Sequence, residues 1–369
     1  MQFAQVYGHQ KIKEQLIRNV ENNRLPHAQL FLGNEGSGKL GLAIALTQYI
    51  YCTERTPTDS CGVCSSCRKI SSHSHPDVHF TYPVSASKEI STQHIEKWRE
   101  INASSMYFNT TDWMEAIAKD GNKTPNITRE ETRSILSRLS LKPYEGEAKT
   151  LIIWMPEYLK KESNVLLKLI EEPPQKTYFI LVAEQSKQLL PTITSRTQLT
   201  KIPSYSYEET HAFLDTKYGL EKSSLEQIAR LSDGNLRMAN NLIENNSNDY
   251  GSLFRDWMLA CYRNDLKSVS DISDKLHAMG KNQIQLFLTH GIGVLRECML
   301  HQTIDNYTIN AESSQVDFIQ KLSSTLNAFF IEKIYTQINE VIYHLQRNAN
   351  PKIALFNLSI NIRYHFIRK

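Results

Sequence analysis

The stretch Gly33-Asn34-Glu35-Gly36-Ser37-Gly38-Lys39-Leu40 has the residue types of a phosphate-binding loop. Glycines at 33, 36 and 38, with Ser37 among them, let the backbone curl so that successive amides face phosphate oxygens. Lys39 would then bring a charge to the outer phosphates. The next position, where Ser or Thr would hold Mg²⁺, is Leu40, which offers no oxygen. Without a bridging metal, the charge that develops in phosphoryl transfer loses a main stabiliser. Two further parts of a hydrolytic site are altered as well. The apolar run ending at Trp154 passes into Met155-Pro156-Glu157, a single displaced carboxylate, and Val182-Ala183-Glu184-Gln185 has no Thr or Asn to sense a terminal phosphate. Glu157 therefore reads as a surface or capping residue. The loop keeps the shape of a phosphate cradle; ATP or ADP binding stays open, and hydrolysis is not expected.

A second group is Cys52, Cys61, Cys64 and Cys67, spaced C-x8-C-x2-C-x2-C, with Gly62 easing the turn between close ligands. In a reducing compartment four crowded thiols point to metal rather than to disulfides, and four thiolates complete a tetrahedral Zn²⁺ shell. A catalytic zinc keeps one position open, so the expected role is structural, a staple for a loop too small to have its own core. His73 and His75 lie nearby, but the four thiols suffice. Cys261 and Cys298 stand alone in apolar helical patterns and read as buried small hydrophobes.

The elements that must position these groups follow from the patterning. The apolar run Gln29–Gly33 precedes the glycine loop, and the helical text LGLAIALTQYIY follows it. Two more β-type runs, Thr150–Met155 and Thr177–Ala183, flank the helical segment KKESNVLLKLIEE, which stops at Pro173 and Pro174. Strands alternating with helices predict a parallel sheet covered on both faces. From Tyr205 the text reads as a small helical unit, then a polar linker at residues 245–249. Beyond it, Phe287, Leu288, Ile292 and Leu295, and later Ile334, Ile338, Val341, Ile342 and Leu345, fall at helical spacing and predict a bundle. Between about 85 and 127 the chain is irregular and polar. Trp98, Tyr107, Phe108 and Trp113 are expected to pin this insertion to the body; a contact surface is the alternative. The chain has 369 residues and a net charge of only +3, which does not support a broad electrostatic grip on nucleic acid. Its opening sequence reads as having no leader, and no run approaches the length of a membrane span, so a cytoplasmic location is expected.

Taken in order, NRLPHAQLFLGNEGSGK, the four-cysteine module, SHSHPDVHF, LSLKPYEGEAKTLIIW, NVLLKLIEEPP, LLPTITSRTQ and DGNLRMA resemble the clamp-loader branch of the AAA+ proteins, and within it the delta-prime subunits of bacterial DNA polymerase III. The resemblance covers about the first 240 residues; the insertion is longer than is usual there. It implies a P-loop AAA+ domain over 1–203 with the zinc module at 52–67, a helical lid over 204–244 and an all-α collar over 250–369. It also implies a hetero-pentamer with gamma/tau and delta subunits that loads a sliding clamp onto primed DNA. The Ser-Arg-Cys motif of the family, whose arginine reaches a neighbour's ATP, corresponds to Ser195-Arg196-Thr197, with Thr in place of Cys. The second sensor arginine corresponds to Arg237, left with a packing role if the chain's own site is incompetent. The rival readings are an ATP-hydrolysing gamma/tau-type subunit using Lys39, and a zinc-finger nucleic-acid binder. Only Arg68 and Lys69 follow the cysteines closely, which argues against the last.

Overall fold

The computed structural model describes residues 1–86, 88–118, 124–219, 222–244, 250–309, 311, 313–346 and 349–367. The expected linker at 245–249 and residues 87 and 119–123 of the insertion lie outside the described residues. Two compact units are formed, one by Met1–Phe213 with Gly234–Arg237 and the other by Leu214–Asp233 with Met238–Lys369.

The first unit is built on five parallel strands, β1 (Ala28–Leu32), β2 (Val78–Thr81), β3 (Lys149–Trp154), β4 (Thr177–Ala183) and β5 (Gln198–Lys201), in the order β2-β3-β4-β1-β5. Leu30 is in register with Leu181 on one side and Leu199 on the other. The central strands are continuous apolar runs because both of their faces are covered. Its helices are α1 (Gln10–Glu21), α2 (Lys39–Tyr51), α3 (Ser65–Ser71), α4 (Ile95–Ser104), α5 (Thr110–Ile117), α6 (Arg129–Ser140), α7 (Ser163–Glu171) and the single turn α8 (Pro191–Thr194). Phe31, Ile152, Trp154, Ile180 and Val182 pack with Leu16 and Ile17 of α1 and Ala43 and Leu46 of α2. Leu30, Leu151, Ile153, Phe179 and Leu181 turn the other way, onto Ile135 and Leu139 of α6 and Leu166 and Ile170 of α7.

The insertion is more ordered than its polar text predicts. Its ends are pinched together where Val84 and Asn126 exchange backbone hydrogen bonds of 2.8 and 3.1 Å, and α4 and α5 lie between them. Trp98 and Trp113 are fully buried. Trp98 stacks on Tyr82 at 4.2 Å and meets Trp154 of β3 at 5.5 Å, while Trp113 Nε1 donates to the carbonyl of Pro83 at 2.7 Å. These aromatics therefore anchor the insertion, the first of the two alternatives. Glu131, at the head of α6, adds a polar anchor. Its buried carboxylate accepts from Thr81 Oγ1 (2.8 Å), the amide of Ser91 (2.7 Å) and Arg138 (2.9 Å).

Helix α9 (Tyr207–Tyr218) spans the boundary between the units, and the regular elements of the second unit among its described residues are all helices. This unit contains α10 (Lys222–Ser232), most of α11 (Leu236–Glu244), α12 (Tyr250–Arg263), α13 (Leu266–Met279), α14 (Lys281–Thr303), α15 (Ser313–Thr325), α16 (Ala328–Gln346) and α17 (Pro351–Ile367). Phe254, Trp257, Phe287, Leu288, Ile334, Ile338 and Leu355 form its interior. Trp257 Nε1 donates to Ser359 Oγ at 2.8 Å, tying α12 to α17. Cys261 and Cys298 are buried, and burial pushes both thiols up to about 12, so they act as inert hydrophobes. No helix among the described residues is long and apolar enough to cross a membrane.

Candidate functional site

The glycine loop joins the carboxyl end of β1 to the start of α2, the place where ligands bind in open parallel sheets. Gly33 is tied to the sheet by its amide, which donates to Ala183 O at 3.2 Å, and Ser37 N closes the loop onto Asn34 O at 3.3 Å. Gly36 has φ +73°, and a Cβ there would lie 2.0 Å from Asn235 Oδ1, so both its conformation and its surroundings demand glycine. Ser37 is buried, and its carbonyl accepts from His9 Nε2 at 2.8 Å. Burial holds the His9 imidazole below its ordinary range.

Lys39, the loop's expected charge, is buried and already engaged. Its ammonium donates to Asn34 O at 3.1 Å and to Glu184 Oε1 at 3.0 Å. Burial pushes the Glu184 carboxyl up and Lys39 opposes that rise. Leu40 is buried in the core beneath the loop, so no side-chain oxygen follows the lysine. Past β3, Met155 leaves the strand with φ +57°, and Glu157 faces the end of β4. Its Oε1 accepts from the amides of Glu184 and Gln185 at 2.6 and 2.9 Å, which makes it the capping residue expected from the sequence.

Arg237, the second residue of α11, lies beside the same loop. Its Nε and Nη2 donate to the two carboxylate oxygens of Asp112 at 2.5 and 2.6 Å, and Nη1 donates to Glu35 Oε1 at 3.0 Å. Burial would lower its pKa, but the two carboxylates raise it above the ordinary value, and the side chain is only 7% exposed. Glu35 also accepts from Asn109 Nδ2 at 2.9 Å and Asn235 Nδ2 at 3.2 Å. Sequence reasoning missed Glu35, Asn109 and Asp112. Glu35 sits inside the glycine loop with no feature that marks its partner, and the signal for Asn109 and Asp112 was the capping box that opens α5, which announces a helix start and not a partner 125 residues away.

The four cysteines come together as expected. Their sulfurs all lie within 4.8 Å of one another, with Cys61 and Cys67 at 3.9 Å; a tetrahedral zinc thiolate shell needs about 3.8 Å between sulfurs. Cys52 ends α2, Cys64 caps α3 and Cys67 sits in the first turn of α3, while Gly62 supplies the required φ of +74°. Backbone amides aim at the sulfurs: Cys61 N at Cys52 (3.2 Å), Cys64 N at Cys61 (3.3 Å) and Cys67 N at Cys64 (3.4 Å). Such donors favour thiolate, so the donor set fits zinc. The histidines take other work. His75 Nδ1 accepts the amide of Asp77 at 3.2 Å and its ring meets Tyr51, while His73 packs on Phe80. The module is fastened to the body by Asp59, which accepts the amides of Phe3 and Ala4 at 3.0 and 2.9 Å, and by Gln48, which donates to Ser60 Oγ at 2.9 Å.

Arg196 stands apart from all of these groups. It follows α8 and precedes β5, so it lies at the amino edge of the parallel sheet, whereas the glycine loop lies at the carboxyl edge. The four residues of β5 set a separation of roughly 13 Å along the strands. Its guanidinium pairs with Glu171 at the end of α7 and donates to Thr192 O at 3.1 Å and Ser195 Oγ at 3.2 Å, with the side chain about one third exposed. Thr197 Oγ1 donates back to Ile193 O at 3.0 Å and stiffens the turn. Arg196 and Lys39 thus stand at opposite edges of the same sheet.

Residues 8–206 match the model of a family described as DNA polymerase III, delta subunit. Among curated proteins the chain is similar to DNA polymerase III subunit delta' of Bacillus subtilis, 28% identical over 189 residues, which are 51% of this chain and 45% of that protein. It is also similar to DNA polymerase III subunit tau of Escherichia coli, 27% identical over 248 residues, 66% of this chain and 32% of that protein. The chain thus spans about a third to a half of the length of these relatives. Among solved structures, a DNA polymerase III gamma subunit-related protein of Thermotoga maritima is 18% identical over 96% of this chain and 99% of its own, with a TM-score of 0.42, a likeness too loose to carry an argument.

Proposed function

We infer the function from one premise: the chain belongs to the DNA polymerase III, delta subunit family, whose model covers more than half of it. On that premise it is a clamp-loader subunit of DNA polymerase III. We propose that it acts as the delta-prime-type member, which does not hydrolyse ATP itself and supplies Arg196 to the ATP of a neighbouring subunit. The observation that supports this reading is the placement of Arg196 and Lys39 at opposite edges of one sheet, which sets the arginine away from the chain's own loop. A guanidinium suits the task because it is permanently charged and planar. Leu40 and the engagement of Glu157 with backbone amides support the absence of turnover at the chain's own loop.

In this proposal residues 1–203 form the AAA+ domain, 204–244 the lid and 250–369 the collar that joins a cytoplasmic hetero-pentamer. Gamma/tau and delta subunits are its neighbours, and the sliding clamp and primed DNA are what the assembly handles. The cysteine cluster holds a structural zinc. The family relatives include subunits named tau as well as delta', so the alternative is a gamma/tau-type motor hydrolysing ATP through Lys39. One reconstitution separates the two. With gamma/tau-type and delta partners, Arg196→Ala should cut DNA-stimulated ATP hydrolysis at least tenfold while assembly survives, since arginine fingers are worth roughly 10³ or more. An unchanged rate removes the finger role. Magnesium-dependent turnover by the chain alone, abolished by Lys39→Ala, would establish the motor instead.

A further inference from the structure

The insertion reaches the mouth of the glycine loop, and what it places there is acidic. Asp112 forms a two-pronged pair with the Arg237 guanidinium, the geometry that a phosphate would need from the same fork. The third hydrogen bond of Arg237 goes to Glu35, inside the loop itself, and Asn109 of the insertion holds the other oxygen of Glu35 at 2.9 Å. The loop's own cation, Lys39, is paired with Glu184. Glu35 and Glu157 lie close enough to Glu184 to add to the rise in its pKa. Among the described residues, the carboxylates of Asp112, Glu35, Glu184 and Glu157 thus gather around the cations Arg237 and Lys39, an excess of negative charge when all are ionised.

Apolar groups close the space beside α2. A Cβ on Gly41 would lie 2.9 Å from Met106 Sδ, and one on Gly38 would lie 2.7 Å from the Tyr205 hydroxyl and 3.5 Å from the Tyr107 ring. Tyr205 OH is itself fixed, donating to Tyr7 O at 3.1 Å, and Tyr107, Tyr205 and Leu236 form a small buried cluster. The segment Met106–Asp112 thus touches the loop, the first turns of α2 and Arg237 at once.

We propose that the segment Met106–Asp112 is a built-in occupant of the phosphate loop, whose Asp112 carboxylate holds Arg237 in place of a phosphate and closes the loop to nucleoside di- and triphosphates. An incoming nucleotide carries several negative charges. To bind, it has to break three charge-assisted hydrogen bonds of a buried guanidinium and leave Asp112 and Glu35 unpaired beside its own phosphates. The loop then works as a structural clasp between the glycine turn, the insertion and Arg237. This deepens the reading of a loop without turnover and does not depend on Arg196, because it is tested on the isolated chain by binding and not by hydrolysis.

The test is calorimetric titration of the full chain with Mg-ATP and Mg-ADP, alongside Asp112→Asn/Glu35→Gln, which removes both charges with little change of shape. The intact chain should show no saturable binding up to millimolar nucleotide, and the double variant should bind at least tenfold more tightly. Saturable binding by the intact chain below about 100 μM, which corresponds to more than ~5 kcal/mol, overturns the proposal. So does a folded double variant that gains nothing. Should the double variant not fold, the single Asp112→Asn variant and the melting temperature of the intact chain decide: a rise with added Mg-ATP refutes a closed loop, and a rise confined to Asp112→Asn supports it.

Discussion

Glu157 Oε1 lies 2.6 Å from the amide of Glu184 and 2.9 Å from that of Gln185, so the first carboxylate after β3 caps the end of β4. A side chain that caps the end of a strand and one that polarises water respond differently to the same substitutions. Glu157→Gln keeps an acceptor oxygen and should leave stability within about 0.5 kcal/mol, whereas Glu157→Ala orphans two amides and should cost roughly 1–3 kcal/mol in urea unfolding. In the reconstituted assembly neither variant should alter ATP hydrolysis. A selective loss of turnover in the Gln variant would assign Glu157 to chemistry.

Purified without chelators, the chain should carry one zinc, measured by elemental analysis. Metal binding to the four thiolates is coupled to folding of the segment that supplies them. Stripping the metal, or replacing Cys64 by Ser, should lower the melting temperature by roughly 5 °C or more at the few kcal/mol involved. Unchanged melting after complete removal would disconnect the cluster from stability.

The imidazole of His79, in β2, is held down to about 4 by burial and by the nearby charges of Arg138 and Lys149. In the unfolded chain it titrates near 6.5, so between these values the unfolded state binds the extra proton. Its contribution to stability is therefore full above about pH 6.5 and is lost as pH falls toward 4. His79→Gln should flatten that part of the stability profile, read as the midpoint of urea unfolding at a series of pH values. An unchanged slope would show that the group is not buried neutral.

The parts of this fold that the sequence announces are those with one dominant physical cause. β1, β3 and β4 are apolar runs because both faces are buried, and their bounds fall within one residue of the runs. β5 carries Gln198, Thr200 and Lys201 at the sheet's edge, where water covers one side, so no hydrophobic signal marks it. In the second unit, helical spacing marks α14 and α16, but α17 is apolar on several sides and gives no periodic stripe. The same division runs through the site. The glycine loop and the cysteines are close in sequence, so their spacing is their chemistry. The pairing of Arg237 with Asp112 joins residues 125 apart through an insertion whose text is merely polar, and only the fold brings them together.

The strand order also sets a timetable. Phe31 of β1 is paired with Val182 of β4 and Thr200 of β5, so both neighbours of the central strand leave the ribosome some 150 residues after it. At about 5–20 residues per second that is an interval of roughly 10–30 s. Through it the nascent chain displays Ala28–Leu32 with neither edge covered, while the cysteine module, complete by residue 67, can already close on metal. The cysteine module can thus be finished early, whereas the central strand gains its second neighbour only once β5 has emerged, with the helical second unit still to come.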